Sequence, residues 1–432
     1  MPFLWIIDIT GRKYRLLRGK FLYKIQYHKK FHENNINKLR LEINDSFKKG
    51  IEPKLNGRKY MNGILNFNET EKTLTVEPLV TINELIEFLD KTNFMIPCMP
   101  RDTNTTISEM IEYGCIGSDS KRYGLFHHTC LEYEVINDDG KILVASKLQK
   151  NSKESHNALF YGIPLSGQSL CVLLSVKFKL IEKSNIIKIT YFPVEKNDVL
   201  DELKKICSNG IDKRYLDILN VDNQIFIFCV GELVKDNNNK IIINDSWRDN
   251  YYECYRKKKE IMKYMTLKGY MYRDEEKINE RSGLRKTISK TFFNVKQINN
   301  TYLFPLKHTT LMLDEMTKLK LNPKWLTLVN IPSLPGLLRQ REGKNCYFVA
   351  VNVFDEINSF ELKSFREGLM NFEKMFIEKN GVGLINNHTT LSQKTFWLMY
   401  DSSFYQWLRA RYVNNFIRKD VYECQVIKNR LD

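Results

Sequence analysis

The sequence predicts an α+β protein, and three observations support that prediction. Strand-like apolar runs recur along the 432 residues and alternate with amphipathic helical segments. The turn motif Asn137-Asp138-Asp139-Gly140 joins predicted strands at 132–135 and 142–145, because Asp-Gly suits the positive φ angles of a tight hairpin. Two βαβ-like units, at 186–234 and 346–386, are separated by an insertion at roughly 246–300. These units predict one sheet with helices on one face.

The individual elements follow from hydrophobic periodicity and from turn residues. Residues 33–50 are predicted to be helical, 51–70 to be loop with one short strand, and 73–76 to be a strand. Thr81 is a predicted N-cap for a helix at 82–89, and 170–180 is a predicted buried strand. The later elements are predicted strands at 186–194, 224–234, 346–354 and 382–386, a helix at 199–207, and a helix at 360–380 with Gly381 as its C-cap.

The composition is that of an ordinary globular protein, with 43% apolar, 27% charged and 12% aromatic residues. It excludes a disordered chain, a collagen-like chain and a disulfide miniprotein. The nine cysteines form an odd set without CxxC spacing, which indicates reduced thiols and no zinc site. The HExxH motif is absent as well, and we predict no metal site. The two commonest nucleotide-binding fingerprints, GxGxxG and GxxxxGK[ST], are also absent.

Basic residues exceed acidic ones by 67 to 51, giving a net charge of +16, and this excess favours an anionic partner. Between Ile9 and His32 there are eight Lys or Arg and no acid, while Leu17, Phe21 and Ile25 share one helical face. This pattern is typical of a helix on an anionic membrane surface, and equally of a helix docked on its own domain with a solvated basic face. A run of roughly 18 apolar residues, which a spanning helix needs, does not occur.

A second basic stretch, at 247–263, is rich in tyrosine. Such a pattern can bind nucleic acid by stacking and by phosphate contacts, but a solvated helix face is the preferred interpretation. No nucleic-acid motif is present, and we expect no specific nucleic-acid partner.

The segment 114–126 is the best candidate for a cofactor site. Its small residues Gly114, Gly117, Ser118 and Ser120 allow the backbone to approach an anion, and Lys121 and Arg122 add positive charge. Such a nest of N–H groups is a common way to hold a pyrophosphate. An ordinary polar surface loop is the alternative interpretation of the same composition.

Several short motifs, in order along the sequence, carry a family resemblance. They are TVEPLVT at 75–81, YGLFHH at 123–128, EYE at 132–134, LFY at 159–161, IPS and PGL within 331–337, FWLMYD at 396–401, and SFY with Leu408-Arg409 at 403–409. In these motifs the protein resembles the FAD-linked Δ24-sterol reductases (the 24-dehydrocholesterol reductase or Diminuto group) of the vanillyl-alcohol-oxidase superfamily.

The resemblance implies a two-lobed FAD-binding domain of the PCMH type and an α+β cap domain with an antiparallel sheet. The implied boundaries are a basic membrane-surface segment at 1–50, the FAD-binding domain at 51–182, and a cap or substrate domain at 183–432 whose C-terminal segment returns toward the flavin. In the family the matching loop lines FAD. The implied FAD contacts are Gly114, Ile116, Gly117, Ser118, Ser120, Arg122, Tyr123, Gly124, Leu125 and Phe126.

The resemblance further implies a flavoprotein oxidoreductase of sterol biosynthesis, with non-covalent FAD and with NADPH as reductant. The family reduces a carbon–carbon double bond in the aliphatic tail of a sterol by hydride transfer from the flavin, and a protein group or water supplies the proton. The implied location is peripheral, on the cytoplasmic face of the endoplasmic reticulum.

The sequence identifies no catalytic residue. Two interpretations are open for His127 and His128. One of them could be a proton donor or contact the edge of the flavin. The preferred interpretation is a structural histidine that is hydrogen-bonded to the backbone. Tyr123 either bonds the flavin or packs.

Some positions depart from the family pattern. Ser108-Glu109 replaces a pair of glycines, Tyr113 is bulky where a small residue is expected, and Cys171 stands where the family has Gly. The basic glycine-containing segment before the first strand is reduced to Gly57-Arg58-Lys59-Tyr60. These changes favour an alternative in which the protein is a non-catalytic relative that binds FAD weakly or not at all and acts as a membrane-associated binding protein.

Overall fold

A computed structural model describes twelve ranges of the chain: 29–51, 53, 55–147, 156–208, 215–234, 243–274, 296–338, 340–343, 346–357, 361–385, 387–413 and 418–423. Most of the predicted basic helix at 9–32 lies outside these ranges. Within them, no helix combines the length and the apolar character needed to cross a bilayer.

The first helix, α1, spans Lys29–Lys49 and confirms the helix predicted at 33–50. It buries Ile36, Leu39 and Ile43 at helical spacing. These side chains join Val172 and Leu174 of the first sheet in a small separate core. The helix is therefore held to the sheet by apolar packing on one face.

The first sheet has five antiparallel strands in the order β1-β2-β6-β4-β5. The strands up to β7 are β1 Ile64–Asn68, β2 Thr73–Val76, β3 Phe94–Met95, β4 Cys130–Ile136, β5 Ile142–Ser146, β6 Val172–Lys179 and β7 Ile181–Glu182; β3 and β7 form a separate pair. The predicted hairpin is confirmed, because β4 pairs with β5 and Gly140 has φ 71° in the turn.

Helices α2 Ile82–Leu89, α3 Ile107–Glu112, α4 Ser120–Tyr123 and α5 Asn157–Gly162 lie between these strands, with 3₁₀ turns at Asn56–Tyr60 and Phe126–Thr129. The N-cap predicted at Thr81 is confirmed. Its hydroxyl accepts from the Glu84 N–H and the Glu84 carboxylate accepts from the Thr81 N–H, a complete capping box. The helix begins at this residue because two of its free N–H groups are satisfied locally.

The second sheet has eight antiparallel strands in the order β11-β8-β10-β9-β13-β14-β12-β15. They are β8 Ile186–Glu195, β9 Tyr215–Asn220, β10 Ile225–Val234, β11 Ile261–Thr266, β12 Lys296–Pro305, β13 Pro323–Ile331, β14 Cys346–Ile357 and β15 Val382–Gly383. The later helices are α6 Val199–Ser208, α7 Trp247–Lys257, α8 Leu267–Met271, α9 Thr309–Lys318, α10 Leu362–Glu378, α11 Gln393–Phe396 and α12 Ser402–Tyr412.

Both predicted βαβ-like units are present, each in a split form. The strands β8 and β9 flank β10, which is antiparallel to both, and α6 connects them. In the same way β14 and β15 flank β12, with α10 as the connection. The helices α6, α9 and α10 contact one another in sequence. The predicted α+β class with antiparallel sheets is therefore confirmed.

The predicted C-cap of α10, Gly381, is wrong, because the helix ends at Glu378 and its C-cap is Lys379. Asn380, with φ 58°, occupies the left-handed position, and the Gly381 N–H donates to the Phe376 carbonyl at 2.8 Å. This is the double-bonded helix end in which Asn can replace Gly at the left-handed residue. Gly381 is needed for a different reason, because an added Cβ would overlap the Phe376 ring.

Candidate functional site

The candidate loop 114–126 connects α3 to β4 and lies against the second sheet. Its helical turn α4 contacts β13. The Leu216 N–H, in β9, donates to the Ser118 carbonyl at 2.7 Å. The loop is therefore positioned where the two main sheets of the protein meet.

A buried carboxylate of the second sheet, Asp217 in β9, reaches this loop. The Ser118 hydroxyl donates to Asp217 Oδ1 at 2.8 Å. Tyr270 and Trp325 donate to the same carboxylate at 2.7 and 2.6 Å. We call the group formed by Arg101, Ser118, Asp217, Tyr270, Arg273 and Trp325 the Asp217 cluster.

Two guanidinium groups balance the charge of this carboxylate. Arg101 Nη2 and Arg273 Nη2 each lie 3.3 Å from Asp217, and Arg273 also donates to the Ser118 hydroxyl at 2.7 Å. Burial alone raises the pKa of Asp217. The charges of Arg273 and Arg101 and the hydrogen bonds from Tyr270 and Ser118 outweigh that effect and lower the pKa to about 2. The carboxylate is therefore ionised at neutral pH.

The space beside the glycines of the loop is filled by other residues of the protein. An added Cβ at Gly114 would lie 2.9 Å from Leu165 and 3.0 Å from Leu384. At Gly117 it would lie 2.7 Å from the backbone of Cys98. These glycines allow close packing of protein against protein, since the space beside them is already filled.

The space beside Gly124 is also filled by protein atoms. It has φ 72°, and a Cβ there would overlap the His128 ring and approach the Asn330 carbonyl to 2.8 Å. The Cys98 thiol donates to the Gly124 carbonyl at 3.1 Å.

The remaining polar groups of the loop are also engaged internally. The Ser120 hydroxyl accepts from the Gly117 N–H at 2.9 Å, and Asp119 Oδ1 accepts from the Cys98 N–H at 3.0 Å. Lys121 reaches across to α6, where its amine donates to the Ile206 carbonyl at 2.6 Å. A hydrogen-bond network inside the loop thus uses the groups that were expected to hold a pyrophosphate.

The other predicted contact residues are mainly part of the core. Ile116, Leu125 and Phe126 are buried. The Arg122 guanidinium lies 5.5 Å from the centre of the Tyr123 ring, a cation–π contact between neighbours.

In this arrangement the loop does not fit a diphosphate. Its glycines face protein atoms, its Ser118 hydroxyl faces an ionised carboxylate, and an acidic residue of its own, Asp119, is buried within it. An anion here would have to displace the internal hydrogen bonds and lie near the ionised Asp217 and the buried carboxyl group of Asp119. The residue-level FAD contacts therefore remain a prediction, and we assign no step to them.

A second cluster is found where the sequence departs from the family pattern. Arg58, 8% exposed, donates from Nη2 to Glu112 Oε1 at 2.8 Å and also to the Ser108 hydroxyl. Gln168 donates to the other oxygen of Glu112 at 2.8 Å. Arg58, one of the two basic residues of the segment 57–60, is thus neutralised by an acid at the end of α3.

Cys171, 4% exposed, follows the turn that holds Gln168. The C-terminal segment anchors this turn, since Arg418 donates to the Gln168 carbonyl at 2.7 Å and to Asp138 at 2.8 Å. Tyr405 of α12 shares a 2.6 Å hydrogen bond with the Ser169 hydroxyl. The C-terminal segment is therefore docked beside the first sheet.

Of the two histidines after the loop, His127 is buried and His128 is partly buried, and both imidazoles are neutral. Burial lowers the pKa of His127 to about 3 and that of His128 well below its ordinary value. His128 Nδ1 accepts from the Leu125 N–H at 3.0 Å, which supports the structural interpretation for this residue. His127 Nδ1 has no hydrogen-bond partner among the described residues and borders a cleft of about 30 Å³ lined also by Tyr161 and Pro332. Neither imidazole is positively charged at neutral pH.

Sequence reasoning missed the Asp217 cluster. The only local signal was a charged residue inside the apolar strand 215–220, while the partners Ser118 and Trp325 are about a hundred residues away on either side.

In the described part of the protein, no group of three His, Cys, Asp or Glu residues is arranged to hold a metal ion. The basic stretch at 247–263 begins with Trp247, which is buried between Tyr191 and Tyr270.

The protein is similar in sequence to one known domain family and to several known proteins. A family model described as an FAD binding domain matches residues 54–146. The Delta(24)-sterol reductase homolog of Caenorhabditis elegans is 22% identical over 393 residues, which cover 80% of this protein and 74% of the relative. The Delta(24)-sterol reductases of Rattus norvegicus and Homo sapiens are 23% and 22% identical, each covering 81% of this protein and 73% of the relative.

Proposed function

We propose that the protein is an FAD-dependent oxidoreductase, because it is similar to Δ24-sterol reductases along about four fifths of its sequence and an FAD binding domain model matches residues 54–146. The proposed reaction is reduction of a carbon–carbon double bond in the aliphatic tail of a sterol or in another hydrophobic alkene, with NADPH as reductant and FAD bound non-covalently. The observation that carries this proposal is the similarity along four fifths of the sequence, which includes the loop 114–126.

The proposed location follows from the same similarity and from charge. A surplus of 16 positive charges favours association with anionic lipid. We therefore propose a peripheral protein on the cytoplasmic face of the endoplasmic reticulum, bound through its basic N-terminal segment 1–50. The segments 51–182 and 183–432 are proposed as the two-lobed FAD-binding domain and the cap domain.

One observation favours the second candidate, a non-catalytic relative with weak or no FAD binding. The loop at 114–126 is closed by its own contacts, and Arg58 is neutralised by Glu112. Such a protein would keep the fold and serve as a membrane-associated binding protein.

A flavin titration separates the two candidates. The full-length protein is purified, its flavin absorbance is measured, and FAD is then added while the quenching of flavin fluorescence is followed. Stoichiometric FAD, followed by NADPH oxidation that depends on a sterol alkene, is expected for the reductase. Protein that stays colourless and takes up no FAD contradicts the reductase and leaves the non-catalytic candidate.

A further inference from the structure

An apolar cavity of about 220 Å³ lies between the two halves of the protein, apart from the candidate loop. One wall is formed by α2 and the segment 94–99. The opposite wall is formed by α8 and by Thr266, which precedes it. Six of its apolar lining residues are Leu85, Leu89, Met95, Met99, Leu267 and Met271. The interior therefore presents aliphatic and thioether groups to any occupant.

The cavity and the candidate loop share a wall but not a space. The backbone N of Met99 would lie 2.7 Å from a Cβ added at Gly117, so the segment 94–99 separates the two. The wall is held in place by a contact from the second sheet, since the Tyr215 hydroxyl donates to the Met95 sulfur at 3.4 Å. The cavity is therefore separated from the loop 114–126 by protein atoms.

The rim of the cavity is polar and its charges are balanced. Lys183 caps the end of α2, donating to the Leu89 and Asp90 carbonyls at 2.7 and 2.8 Å. Lys268 lies 3.1 Å from Glu87 and 3.3 Å from Asp90. Two positive and two negative side chains at one opening disfavour an occupant with a net charge, while their N–H and oxygen atoms can bond a hydroxyl.

We propose that this cavity binds an aliphatic alcohol whose hydrocarbon part fills the interior and whose hydroxyl reaches the rim at Lys183 and Lys268. The size follows from the volume. A dry apolar cavity of roughly 150 Å³ binds benzene, so about 220 Å³ has room for about nine carbon atoms. The driving force is removal of the hydrocarbon from water.

The test uses the full-length, flavin-free protein and a series of linear alcohols followed by saturation-transfer NMR. Affinity should rise about fourfold for each added CH₂ up to about nine carbons and then level off, since each buried CH₂ contributes about 0.8 kcal/mol. Nonanoate and nonyltrimethylammonium should bind at least about tenfold more weakly than 1-nonanol, since the balanced rim excludes their charge. A rise that continues through dodecanol indicates adsorption to an open surface and overturns the proposal.

Variants on the two walls locate the site. Leu85→Phe and Met271→Trp fill the cavity from opposite sides, and each should weaken 1-nonanol binding at least tenfold. Met271→Leu keeps the volume and should bind as the wild type does, which separates a filled cavity from a misfolded one. Leu398→Trp, at a residue that is 54% exposed and does not line the cavity, is the matched control. Equal binding by wild type and both filling variants, or tight binding of nonanoate, contradicts the assignment.

Discussion

The Ser118 hydroxyl donates a hydrogen bond to Asp217 Oδ1 at 2.8 Å, which links the loop before β4 to β9 of the second sheet. The two residues are 99 positions apart. Asp217 is fully buried and receives further hydrogen bonds from Tyr270 and Trp325. The loop expected to hold a cofactor is thus fastened to the opposite sheet by an ionised carboxylate.

Replacing Asp217 by Asn is expected to lower the free energy of unfolding by about 3–5 kcal/mol, since it removes a buried counter-charge that Arg101 and Arg273 share. Arg101 keeps a second carboxylate, Asp274, at 3.1 Å. Urea denaturation followed by circular dichroism measures the change. Asp45→Asn is the control, because this 60%-exposed partner of Lys49 should matter by less than about 0.5 kcal/mol. An Asp217→Asn protein as stable as the control contradicts the role assigned to the cluster.

The same carboxylate predicts a pH dependence at the acidic end. Its folded-state pKa of about 2 lies below the ordinary value of about 3.9, so its contribution is present above that ordinary value. The contribution should be lost as the pH falls from about 4 toward 2. The stability difference between wild type and Asp217→Asn should therefore shrink over that window, as measured by denaturation at each pH.

His32 predicts a pH dependence at the alkaline end. Its ring bonds Glu77 at 2.7 Å and Glu134 at 3.1 Å, holding α1 to the first sheet. Burial lowers the pKa of His32, but the hydrogen bonds and charges of Glu134 and Glu77 outweigh it and raise the pKa to about 9. The stabilisation is therefore full below about pH 6.5 and lost as the pH rises through 9.

The His32→Gln variant tests this directly. Its stability deficit relative to wild type should be constant below about pH 6.5 and should shrink between 6.5 and 9. His308→Gln is the matched control, since burial lowers the pKa of that imidazole and its removal should not change the slope in this window. A His32→Gln deficit that is unchanged from pH 6 to 9 indicates that folding does not raise the pKa of His32.

The elements that were correctly predicted from the sequence are those that depend on interactions between residues close together in the sequence. Thr81 and Glu84 form their capping box within one helical turn, and the turn ending at Gly140 closes a hairpin between adjacent strands. The strand β12 was missed because Asn299, Asn300 and Thr301 interrupt its apolar pattern. Its pairing with β14 and β15 supplies the hydrogen bonds that hold these residues in a sheet.

In the candidate site too, the sequence indicated local features and did not indicate contacts between distant residues. Composition alone indicated small and basic residues at 114–126, but could not show that Asp217 and Leu165 come from distant parts of the sequence to fill the space beside them. Glu112 is a similar case, since its partner Arg58 lies 54 residues earlier. The chemistry of a loop depends on what packs against it, which only the tertiary structure gives.

Cys171→Gly is expected to increase bound flavin at least about threefold if the bulk at this buried position limits FAD binding. The resemblance described above predicts a glycine at this position, and the Cys171 thiol is enclosed, the residue being only 4% exposed. The measurement is the ratio of flavin to protein absorbance after incubation with FAD and gel filtration. Cys229→Ala removes a buried thiol in β10 and should leave the ratio unchanged. An unchanged ratio in Cys171→Gly shows that this residue is not the obstacle.

Removing residues 1–28 is expected to abolish sedimentation of the protein with vesicles that contain anionic lipid. This segment carries Arg12, Lys13, Arg15, Arg18, Lys20 and Lys24, each contributing about 1 kcal/mol near the headgroups. Ending the deletion before Lys29 keeps His32, so urea stability should be unchanged and a loss of binding is not a loss of fold. The full-length Lys20→Glu/Lys24→Glu variant should bind weakly for the same electrostatic reason, and added salt should weaken the wild type. Equal sedimentation of the deleted and full-length proteins would locate membrane attachment elsewhere in the protein.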